Sequence, residues 1–238
     1  YPLRLLHLQS NPELSVRPLE LWFLRFDGET MPLETSIKAQ LSPSEKKRLT
    51  SIQSKHKKKE YLLSRLLMRH ALSQLFKKPE NEWQFIECQN SLPKIRNLPE
   101  GICFSLSHSK NNICFAIYNG PIGVDIESTD KKRNYLEQAE LFMNRDEIST
   151  LKENEVEQAD NFYRIWCGKE AYYKALPLAE QATFSILEVS VPELVKHNGD
   201  WLLFEGKTDQ FRLSVVTKIK PSSINYNNIP GLPSLKIV

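Results

Sequence analysis

Ile122-Gly123-Val124-Asp125-Ile126-Glu127 alternates apolar and acidic side chains, broken only by a glycine. A period of two marks a strand with one face against a core. Val124 and Ile126 then point into protein. Asp125 and Glu127 point the other way, roughly 6–7 Å apart along the strand. Two carboxylates at that spacing repel one another. They are tolerable on a solvated face, or useful if they share a hard cation such as Mg²⁺. On the hexamer alone, an edge strand with one wet face is the plainer reading.

Working outward, Asn119-Gly120-Pro121 is a turn that sets this strand off from two others, Ile102 to Leu106 and Ile113 to Tyr118. Leu19 to Phe26 reads as a further strand. Ser42, Pro43 and Glu45 have the pattern of a helix start: a capping hydroxyl, a first-turn proline and a glutamate three residues after the cap. Tyr61 to Phe76 is a helix apolar on nearly every side, preceded by a basic run from Lys55 to Glu60. Downstream, Asn144 to Glu147 can form a capping box, and Asn161 to Leu176 is a second strong helix stopped by Pro177. Trp201 to Glu205 and Phe211 to Ile219 read as a hairpin. The tail after Pro221, rich in Asn, Ser and Pro, is expected to be irregular. Strand, long helix and strands thus recur on both sides of Pro121. The expected fold is α+β, in two similar halves covering residues 1–120 and 121–238.

The 238 residues are 40% hydrophobic and 26% charged, with net charge +3 and pI about 8.6. These values suit a globular chain. The mild basic excess fits an anionic ligand or an acidic partner and is too small to argue for nucleic acid. No run reaches the ~18 apolar residues that a membrane helix needs, so no membrane partner and a cytoplasmic setting are expected. Cys88, Cys103, Cys114 and Cys167 lack metal-ligand spacing and read as reduced thiols.

Other residues carry possible chemistry. Trp166, Glu170 and Lys174 follow an i, i+4, i+8 stripe on the second helix. They are either a surface Glu–Lys pair or buried charges in need of partners. Ser107-His108 falls at a strand end. No G-x-S-x-G elbow accompanies it, so phosphate contact by the hydroxyl and imidazole suits it better than nucleophilic attack. Arg65 and Arg69 lie one turn apart on the apolar helix, as core ion pairs or as phosphate forks.

Taken in order, Ser107-His108-Ser109, Gly123-Val124-Asp125-Ile126-Glu127 and Trp166-Cys167-Gly168-Lys169-Glu170-Ala171 resemble the three motifs of the surfactin-synthetase type of 4′-phosphopantetheinyl transferase. Leu41-Ser42 with Glu45 and Arg48, and Arg65 with Arg69, resemble its N-terminal segments. The resemblance implies a monomer of two similar α+β halves with coenzyme A in the cleft between them. It implies that Asp125, Glu127 and Glu170 hold Mg²⁺, that Lys174 contacts the pyrophosphate, and that His108 meets a nucleotide phosphate with Ser107 beside it. Arg48 falls at a 3′-phosphate position. Arg65 and Arg69 fall with the coenzyme A contacts, and Glu147 near the reaction centre, where a capping role is equally open. The expected base is Glu170, with Glu147 second. The implied partner is an apo acyl or peptidyl carrier protein, docking near Lys131 to Phe142.

Two departures stand out. The family's Gly-Lys-Pro is replaced by Ser91-Leu92-Pro93-Lys94, which leaves Lys94 as the candidate phosphate lysine. Glu45 stands where the pattern has a basic residue. Two other classes compete. A Mg²⁺-dependent hydrolase of the coenzyme A pyrophosphate would use the same carboxylates with water. An RNA-binding module would use Lys46 to Lys59, without any recognisable RNA-binding signature.

Overall fold

The computed structural model describes residues 18–26, 34–88, 92–130, 133–153, 156–197, 199–208 and 210–230. Its first part holds β1 (Leu19–Arg25), α1 (Glu34–Gln40), α2 (Pro43–Ser51), α3 (Lys55–Phe76), β2 (Phe85–Ile86), β3 (Lys94–Ile95), β4 (Cys103–Ser109) and β5 (Asn112–Tyr118). The second part holds β6 (Ile122–Ser128), α4 (Tyr135–Ala139), α5 (Arg145–Glu153), α6 (Gln158–Ala175), α7 (Leu178–Gln181), α8 (Val191–Val195), β7 (Leu202–Lys207), β8 (Phe211–Thr217) and β9 (Ile224–Asn228). This is the α+β mixture expected. β5, β6 and α6 lie close to where the periodicity puts them, whereas β4 runs on from Leu106 through Ser109 and α3 begins at Lys55 and takes in the basic run expected to precede it.

Three apolar clusters stack the molecule in layers. Leu67 and Met68 of α3 pack on Trp22, Ile113 and Phe115, one face of the first sheet. The other face of that sheet, with Leu21, Phe23 and Ala116, meets Val124, Ile126 and Leu213 of the second sheet. The far side of the second sheet, through Leu203 and Val216, carries Ala171 and Ala175 of α6. The order is helix, sheet, sheet, helix. Strand order is β4-β5-β1-β9 in the first sheet and β6-β8-β7 in the second.

The C-terminal tail differs from expectation. β9 is a strand, paired parallel to β1 from Leu19↔Ile224 to Phe23↔Asn228. Its asparagines suggest a loop by propensity, but they are held individually. Asn225 and Asn227 donate side-chain amides to the two Glu20 carboxylate oxygens at 2.8 and 2.7 Å, and Tyr226 stacks on Phe23. β9 therefore crosses the boundary drawn at residue 120 and joins the first sheet.

Both expected capping boxes are present. Ser42 and Glu45 cap each other's backbone at the start of α2, and Asn144 and Glu147 do so at α5, each at 3.0 Å. All four cysteines are free thiols. Among the described residues, no helix is long and apolar enough to cross a membrane.

Candidate active site

Four of the expected site residues, Asp125, Glu127, Glu170 and Lys174, gather between β6 and α6. Gly123 lets the helix come close: a Cβ there would stand 1.9 Å from the Ala171 carbonyl oxygen and 2.6 Å from the Ala175 nitrogen. With Val124 and Ile126 committed to the space between the sheets, Asp125 and Glu127 face the helix side. Asp125 is buried, at 3% exposure. Its Oδ1 accepts from Lys174 Nζ at 2.6 Å and from the Ser107 hydroxyl at 2.8 Å. Its Oδ2 is enclosed and has no hydrogen-bond partner. Glu127 Oε2 accepts from the Ser109 hydroxyl at 2.9 Å.

Glu170 is half-buried on α6, one turn before Lys174. Burial pushes its carboxyl above the usual range. Lys174 opposes this, and the charges of Asp125 and Glu127 add to it. The Lys174 ammonium is pulled down by burial, but Asp125 outweighs that and leaves it raised. Three carboxylates and one ammonium thus share a single electrostatic neighbourhood.

Do these residues suit a divalent cation? As placed, no three His, Cys, Asp or Glu side chains among the described residues close on a metal position. The Lys174 ammonium stands instead at Asp125 Oδ1. The donor set nevertheless suits a hard ion: it is all carboxylate oxygen, and it includes the enclosed, partnerless Oδ2. Burial is the largest part of the upward push on Glu170; the charges of Asp125 and Glu127 add to it, and a cation would offset that push.

A hollow of about 320 Å³, lined in part by Arg48, Tyr61, Arg65, Glu87 and His108, is linked to this group through β4, where His108 stands between Ser107 and Ser109, the partners of Asp125 and Glu127. Arg48 is exposed. His108 keeps 44% of its side chain exposed, with Nδ1 3.4 Å from Glu60 Oε2. Partial burial lowers its proton affinity first, and the charges of Lys57 and Lys174 lower it further, while Glu60 pulls it up.

Several expected assignments change. Arg69 is not available to a phosphate. It is buried at 2% exposure and makes a two-pronged pair with Glu45, at 2.9 and 2.6 Å. The same Glu45 explains a departure from the family pattern, since it caps α2 and anchors the arginine in the core. Arg65 reaches the hollow wall with its guanidinium engaged: Nε and Nη2 donate to Glu87 Oε1 at 3.2 and 2.6 Å. Ser107 is not free for a phosphate either. Its hydroxyl donates to Asp125 and accepts from the Ile126 N–H and, at 3.4 Å, from Lys174, which uses its capacity.

Glu147 is not a base at this site. It is buried at 1% exposure, and its oxygens accept from Lys169, the Asn144 N–H and the Val191 N–H. Lys94 is exposed on β3 and is not part of the hollow's lining. Of the expected docking stretch, Lys131 and Lys132 lie outside the described residues, and Leu141 is 78% exposed. Sequence reasoning missed Ser109 as a partner of Glu127. The signal was present in the alternation Ser105, Ser107, Ser109, whose polar side has to meet something polar once buried.

Residues 121–218 match the family model described as the 4′-phosphopantetheinyl transferase superfamily. The 4′-phosphopantetheinyl transferase Sfp of Bacillus subtilis (strain 168) is 31% identical over 135 residues, covering 56% of this chain and 59% of the relative. The 4′-phosphopantetheinyl transferase psf-1 of Bacillus pumilus is 32% identical over 114 residues, 48% of each. The chain thus spans between about half and three fifths of the length of these relatives. A putative 4′-phosphopantetheinyl transferase, slr0495 of Synechocystis sp., is 27% identical over 214 residues, 87% of this chain and 83% of the relative.

Proposed function

We propose that this chain, which carries the 4′-phosphopantetheinyl transferase superfamily segment over residues 121–218, moves the phosphopantetheine arm of coenzyme A onto a serine of an apo acyl or peptidyl carrier protein. The observation that carries the reading is the convergence of Asp125, Glu127, Glu170 and Lys174, joined through β4 to the strand position of His108, which with Arg48 lines a hollow. In the reaction, the carrier serine oxygen bonds to the β-phosphorus of coenzyme A. The bond from that phosphorus to the bridging oxygen breaks, and 3′,5′-ADP leaves.

Asp125, Glu127 and Glu170 would hold Mg²⁺. Bound there, it supplies positive charge against the diphosphate. Lys174, now on Asp125, can turn one of its donors to a phosphate oxygen. Arg48 and His108 take the nucleotide's phosphates at the hollow. Glu170 accepts the serine proton, directly or through a water. Positioning and electrostatics of this kind supply most of what phosphoryl transfer needs.

We place the reaction in the cytoplasm, with the protein a monomer and an acidic carrier as partner, matched by the net charge of +3. The hydrolase reading has no observation in its favour over this one. The test is intact-mass measurement of an apo carrier protein incubated with the chain, coenzyme A and Mg²⁺. A gain of one phosphopantetheinyl group is expected, nearly abolished by Glu170→Gln with the fold retained. No gain across several unrelated carriers would remove the reading.

A further inference from the structure

We propose that Ser107 and Ser109 are positioning residues for Asp125 and Glu127, so that β4, a strand of the first sheet, sets the aim of carboxylates carried by the second. The proposal rests on the reading above, in which those carboxylates hold a metal ion.

β4 and β6 are edge strands of different sheets. Serine side chains join them where a backbone ladder would otherwise run. The N–H groups of Val124, Ile126 and Ser128 donate to the hydroxyl oxygens of Ser105, Ser107 and Ser109, at 3.0, 3.2 and 3.0 Å. Each serine meets the N–H nineteen residues on. A hydroxyl that accepts from an N–H still has its own proton to place. Ser107 gives its proton to Asp125 and Ser109 gives its proton to Glu127, each eighteen residues on. The same step from Ser105 arrives at Gly123, which has no side chain.

The three serines therefore divide the work. All three fasten the sheets together, and only Ser107 and Ser109 also steer a carboxylate. The Ser107 hydroxyl and Lys174 both lie on Asp125 Oδ1, which fixes the carboxylate plane and leaves Oδ2 as the oxygen without a partner. Hydrogen bonds of this outer kind hold ligand oxygens in one orientation, and their loss weakens metal binding. Ser105 is a built-in control, because losing its hydroxyl breaks the same sheet-to-sheet bond without touching a carboxylate.

The test is Mn²⁺ titration of the protein with coenzyme A, read by electron paramagnetic resonance alongside melting curves, for Ser105→Ala, Ser107→Ala, Ser109→Ala and Asp125→Asn. Ser107→Ala and Ser109→Ala should raise the Mn²⁺ Kd by about tenfold or more, whereas Ser105→Ala should lower the Tm and leave Kd within about twofold. Ser109→Cys, with similar volume and a weak S–H donor, should recover part of the affinity. Where Ser107→Ala does not fold, Ser109→Ala on a Glu127→Gln background serves instead. It should add no weakening, because its target is already altered. Ser107→Ala and Ser109→Ala titrating like Ser105→Ala would overturn the assignment. Asp125→Asn with unchanged Mn²⁺ affinity would sink the metal reading itself, and the assignment with it.

Discussion

Single residues decide how close α6 comes to β6. Gly123 is the only residue type that fits there, since even one methyl group would overlap the Ala171 carbonyl. The backbone on the other side is a helix ladder and cannot move away cheaply. Gly123→Ala should therefore cost at least about 3 kcal/mol or prevent folding, in thermal or urea melts. A melting curve close to the parent's would show that the helix sits farther off than described. Asp125 and Glu127 were legible in the sequence at this scale, because strict alternation needs nothing beyond the chain itself. The bonds made by Ser107 were not. A hydroxyl next to a histidine looks like an anion donor until β4 is known to lie against β6, and that contact links residues eighteen apart across a change of sheet. Arg69 was ambiguous for a similar reason: the choice between core and ligand depended on a partner, Glu45, on another helix.

Among the elements, α6 does two jobs with one stripe after another. One face gives Glu170 and Lys174 to the carboxylate group. Another buries Lys169 completely, where its ammonium donates to Glu147 Oε2, the Phe142 carbonyl and the Ile186 carbonyl at 2.7, 2.9 and 3.1 Å. Burial lowers the proton affinity of Lys169, and Glu147 restores part of it. All three ammonium protons are matched, so α6, α5 and the segment before α8 are tied at one point. Lys169→Met should leave the Glu147 charge buried without its cation and cost about 3–5 kcal/mol, measured by denaturant unfolding. A loss below about 1 kcal/mol would mean that the pair is solvated or dispensable. The capping-box pattern of Asn144 and Glu147 was legible. That the same glutamate also anchors Lys169 was not, because nothing in local spacing reports a bond between neighbouring helices.

At the scale of the whole molecule, the helix–sheet–sheet–helix stack places the chemistry where the two sheets meet at β4 and β6. The α+β class and the long elements followed from periodicity alone. The course of the tail did not: β9 carries asparagines that local propensity assigns to loops, and it pairs with β1, where Glu20 accepts the amides of Asn225 and Asn227 and Phe23 stacks on Tyr226. With β9 in the first sheet, the last described strand pairs with the first described strand.

The proposed reaction transfers the phosphopantetheine arm to a protein and not to water. It is tested most directly by following 3′,5′-ADP release from coenzyme A with Mg²⁺, with and without an apo carrier. Release is expected only when the carrier is present, in equal amounts with modified carrier, and should nearly disappear in Asp125→Asn. Equal release without any carrier would contradict it.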